Sequence, residues 1–160
     1  MVEESSHIEE IERWFDRFKR HFKEVAINTL VAGIGVFIIS HALLFLGIEF
    51  FPDFFVNYIS PVFNSDGSRD ILFYAHPFVL THSLSILWNR FQKYFTGNFL
   101  RTGLEFGFMY SVVALLPILW ITFAAMEVSF MMVFSWFLYG LVQSAIAGSF
   151  FALLRMKKIT

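Results

Sequence analysis

Four runs free of Asp, Glu, Lys and Arg dominate this sequence: Val25–Ile48, Ile71–Trp88, Phe106–Met126 and Val128–Leu154, of 24, 18, 21 and 27 residues. Each is long enough, as a helix, to cross a hydrocarbon layer about 30 Å thick. A water-soluble bundle keeps charge on the outer face of every helix and has no use for four such stretches. The mean hydropathy of +0.63 points the same way, as does a charged fraction of only 16%. The expected fold class is all-α: an integral membrane four-helix bundle forming a single domain over residues 1–160. Its spans are expected at about 25–48, 71–92, 103–126 and 128–154.

Charge distribution supplies an orientation. Arg13, Arg17, Lys19, Arg20 and Lys23 precede the first span. Arg90, Lys93 and Arg101 sit around the second connection, and Arg155, Lys157 and Lys158 follow the last span. Only Arg69 lies on the opposite side. This positive-inside asymmetry predicts cytoplasmic N- and C-termini, in the cell's inner membrane. The charged first 24 residues argue against a cleaved signal peptide, so the first span is expected to persist as an anchor.

Residues 6–24 read as an N-terminal amphipathic helix. Ser6 and Glu9 fit a capping box. Ile8, Ile11, Phe15, Phe18, Phe22 and Val25 recur at three- and four-residue steps, with Trp14 at the edge of the stripe. Glu9–Arg13 and Asp16–Arg20 stand at i,i+4 on the other side, in the favourable acid-first order. An interfacial helix in the cytoplasmic headgroup layer is the expectation; a straight extension of the first span is the alternative. Residues 49–70 form an external loop. Pro52 and Asp53 suit the start of a short interfacial helix, Ser60-Pro61 its end, and residues 64–68 a turn.

Prolines mark the second and third spans. Pro77 is best accommodated in a first turn, which predicts a helix starting near His76 after an irregular lead-in. Pro117 predicts a kink, with the carbonyl of Val113 losing its partner. Two ladders of small residues, Gly103–Gly107–Ser111 and Gly140–Ser144–Gly148, predict close helix–helix contacts.

Polar groups inside spans are the candidate site residues, because they are costly in lipid and usually face a bundle interior. His41 and His76 lie at matched depth, roughly 8–10 Å below the outer ends of their spans. His82 and Gln143 fall near the midplane. Asn28, Asn89 and Glu105 cluster near the cytoplasmic ends.

Three functional readings follow. The leading one is a non-enzymatic membrane protein that binds a partner protein, a lipid or a small apolar ligand. The second is a small oligomeric transporter or channel with a polar path through His82, Gln143 and Glu105. The third is haem or metal binding through His41 and His76. The sequence carries no phosphate loop, nucleophile elbow or HExxH motif, and no cysteine for thiol or disulfide chemistry. No enzyme activity and no cofactor is therefore expected. The partners expected are the lipid bilayer and either a second copy or another membrane protein. Nucleic acid is not among them, since the N-terminal basic residues alternate with as many acids.

Overall fold

The computed structural model describes residues 2–55 and 67–157. Among these it is all-helical, in the order α1 (Val2–Phe50), α2 (Pro52–Phe55), α3 (Asp70–Phe91), α4 (Phe99–Tyr110), α5 (Leu116–Ala125) and α6 (Phe130–Lys157). A 3₁₀ turn, Gln92–Tyr94, follows α3, and a π-helical segment, Ser111–Leu115, joins α4 to α5. The described residues thus hold four helical stretches long and apolar enough to cross a membrane. The predicted helix end at Ser60-Pro61 lies outside the described residues, as does most of the predicted 64–68 turn.

The largest departure from expectation is α1. Residues 6–24 are not a separate helix lying at an angle to the first span; they are the first half of one unbroken 49-residue helix. At 1.5 Å per residue it is about 74 Å long. Nothing near Glu24–Val25 interrupts it: no proline, no glycine, no turn residue. A break there would also leave backbone N–H and C=O groups without helical partners.

The second span differs as well. α3 begins at Asp70, so residues 71–75 are helical and His76 is not a helix start. Pro77 sits inside the helix and is buried. One missing ladder bond is tolerated because the flanking residues pack on α1, where Tyr74 and Phe78 meet Phe37 (ring centroids 6.4 and 6.2 Å). A polar side chain joins the ladder here too: Thr81 donates to the Pro77 carbonyl at 2.8 Å.

Gly97, at φ 118°, supplies the left-handed residue that turns the chain after α3. Asn98 then caps α4, its side chain accepting from the Arg101 N–H at 2.9 Å. Pro117 acts through the π segment. The N–H of Leu116 donates to the Ser111 carbonyl, five residues back. This wider turn takes up the missing donor just ahead of the proline.

α6 is the hub, meeting α1, α3, α4 and α5. Among the described residues the backbones of α4 and α5 approach α6 alone of the long helices. Close approach of α4 to α6 depends on glycine. A Cβ on Gly103 would lie 2.6 Å from the Ala145 carbonyl oxygen, and one on Gly107 2.6 Å from the Ala145 nitrogen. Gly148 faces Phe106 and Gly103 from the other side, and Ser144 donates within its own helix to the Gly140 carbonyl at 2.8 Å. α4 is tied to α3 by side chains instead. Trp88 meets Phe106 edge-on at 5.5 Å and stacks on Phe95 at 5.8 Å, with Phe151 at 5.9 Å completing the cluster. Such pairs contribute about 0.5–1.5 kcal/mol each beyond the area they bury.

Candidate ligand-binding site

The clefts of interest lie in the distal half of the bundle, remote from both termini. There α5 buries none of its side chains. The third span is held to α6 through α4 and stands away from α3 in its upper half, and α6 floors the gap between them.

The larger cleft has a volume of about 410 Å³. α1 contributes Leu43 and Leu44, α2 Phe55, α3 Phe73, and α6 Ser135, Trp136 and Tyr139. The smaller, about 250 Å³, lies between His76 and Leu80 of α3 and Tyr110, Leu115 and Leu119 of the third span. Its floor is Trp136, Tyr139, Gly140 and Gln143. Trp136 and Tyr139 line both clefts, so they form the wall between them. Gly140 leaves room where Leu115 leans in; a Cβ there would lie 2.5 Å from its Cδ1.

Polar groups are few and placed. Gln143 is 2% exposed and donates from Nε2 to Ser40 Oγ at 3.1 Å. This bond ties α6 to α1 beneath the clefts. Ser135 donates to the Met132 carbonyl at 2.6 Å, so its hydroxyl is held in its own helix.

The residues singled out from sequence separate into groups. His76 and Gln143 meet in the smaller cleft. His41 is elsewhere: its Nδ1 donates to the Phe37 carbonyl at 2.8 Å, and its ring stacks on Tyr74 at 5.5 Å and meets Phe73 edge-on at 5.7 Å. Its Nε2 is buried and without a hydrogen-bond partner among the described residues. Asn28 and Asn89 line a third, smaller cavity of about 80 Å³ with Glu24, Gln92 and Arg155. His82 is exposed, with Nδ1 3.4 Å from Thr29 Oγ1. Glu105 is exposed and paired with Arg101 at 2.8 Å. Among the described residues no three of His, Cys, Asp and Glu converge to hold a metal ion.

Sequence reasoning passed over Trp136, Tyr139, Tyr110 and Ser40. A tyrosine inside an apolar span is a weak signal of a polar contact, and Tyr110 and Tyr139 both carried it. Ser40 carried none, because serine is unremarkable in such helices.

No protein family, curated protein or solved structure matches this chain.

Proposed function

We propose that the chain is a non-enzymatic, multi-pass protein of the cell's inner membrane, with both termini cytoplasmic, that binds one lipid chain or similar small apolar ligand in the distal clefts. The observation that carries this reading is the larger cleft itself. Its volume of about 410 Å³ falls in the range of ligand sites, roughly 300–1,000 Å³. Its walls are leucine and aromatic side chains with two hydroxyls, the few-polar-groups pattern of such sites. An apolar lining of this kind offers water few hydrogen-bond partners. The Tyr139 hydroxyl marks where a polar end of the ligand would be held.

The transport alternative draws less support. Glu105 and His82, two of its three residues, line neither cleft, and Glu105 is engaged by Arg101 on an exposed face.

The test is mass spectrometry of the purified protein after stringent delipidation, compared with Ser135→Phe, which fills the cleft from α6. Wild type is expected to retain one apolar molecule that the variant lacks. Equal retention by both proteins would sink the proposal.

A further inference from the structure

The N-terminal half of α1 leaves an apolar stripe uncovered. Ile11, Phe15, Phe18 and Phe22 are each half exposed or more. Their spacing of four, three and four places all of them at a and d of a heptad. Every b, c and f position from 10 to 24 is charged: Glu10, Arg13, Asp16, Arg17, Arg20, Lys23 and Glu24.

Three observations decide what covers this stripe. The first is its width. Apart from Trp14 at one g position the stripe keeps to a and d, the narrow seam of a coiled coil, whereas a helix lying in a headgroup layer needs a broader apolar face. The second is the backbone. α1 is unbroken from Val2 to Phe50, so it carries Ile11 about 20 Å beyond Val25 along the same axis. The seam therefore leaves the bundle without turning. The third is charge. In a parallel pair, each e position meets the preceding g position of the other helix. Lys19 then meets Trp14 of the second copy, a cation–π pairing, and His21 falls opposite Ala26. No like charges oppose each other across the described part of the seam.

We propose that residues 11–22 of α1 form a parallel two-helix coiled coil with the same segment of a second copy of this chain. The parallel sense rests on the membrane reading above: two copies inserted with one orientation project their α1 helices from the same face. Insertion also explains how so short a seam can pair. Fewer than three heptads are marginal between free helices, but two helices anchored side by side meet at high effective concentration. The seam is independent of whatever occupies the distal clefts.

The chain contains no cysteine, so single cysteines report without background. Phe15→Cys, Phe18→Cys and Phe22→Cys are compared with Arg17→Cys and Arg20→Cys in full-length protein, oxidised in native membranes. Covalent dimers are expected about tenfold faster or more at the three seam positions, because only there do the Cα atoms come within disulfide reach. Equal rates at all five positions, or no dimer at any, would overturn the proposal. Quenching by spin-labelled lipid of a fluorophore attached to the thiol of the Phe18→Cys variant would overturn it in favour of a membrane-lying helix. Seam cross-links only to a different protein would overturn it in favour of a heteromeric partner. Alkaline carbonate extraction of the same membranes tests insertion separately: release of the chain would remove the membrane premise, while retention without seam dimers rejects the coiled coil alone.

Discussion

Gln143 of α6 donates a hydrogen bond to Ser40 of α1 across 3.1 Å, and both side chains are buried. These residues are 103 positions apart. The bond fastens the hub helix to the first span directly beneath the distal clefts. It fixes the distance between the two walls that any ligand would touch.

Replacing Gln143 by leucine removes this bond and leaves the buried Ser40 hydroxyl without its amide partner. We expect a loss of about 0.5–1.5 kcal/mol, the usual net worth of a buried hydrogen bond. Thermal unfolding in detergent measures it; an unchanged midpoint would show that the Gln143–Ser40 bond does not help hold α1 on α6.

The glycine contacts predict a ranking. Gly107→Val places a side chain against the Ala145 backbone, where nothing flexible can yield, and should cost at least about 2 kcal/mol. Gly47→Ala meets only the far end of the Phe55 ring at 3.3 Å and should be nearly neutral. The same unfolding experiment compares them. Equal stability of the two variants would be incompatible with the α4–α6 approach described above.

Arg155 fastens the other end of the bundle. Its guanidinium donates to the carbonyls of Gln92 and Phe95, the latter at 3.2 Å, and lies 5.6 Å from the Trp88 ring centroid. Arg155→Ala should destabilise by about 1.5–3 kcal/mol. Lysine should not restore it, since an ammonium group cannot bridge two carbonyls in the same fork. Full rescue by Arg155→Lys would reduce the role of this residue to its charge.

Glu105→Gln should leave both stability and ligand retention unchanged. Glu105 pairs with Arg101, one helical turn away on an exposed surface, and such pairs contribute little. A large effect on solute or proton flux in liposomes would instead revive the polar-path reading.

Some of this is readable from the residues alone. Charge-free runs locate the four long helices. Other features are not. Pro77 suggests a helix start, but packing of Phe37, Tyr74 and Phe78 holds the preceding turn helical. Pro117 suggests a simple kink, whereas the ladder adjusts through a π turn before it. The stripe from Ile11 to Phe22 is visible, yet its continuity with the first span is not, because periodicity reports a face and not the direction of an axis.

What the sequence alone determined is which segments avoid water, since transfer of an apolar run is a property of that run by itself. What the tertiary structure decided is which faces meet. Ser40 finds Gln143, His76 shares a cleft with Tyr110, and His41 is enclosed by Phe37, Phe73 and Tyr74. On helices like these the outward and inward faces are nearly equally apolar, so hydropathy cannot tell them apart. Only pairwise shape and hydrogen bonding distinguish the two faces, and those exist once the helices are side by side.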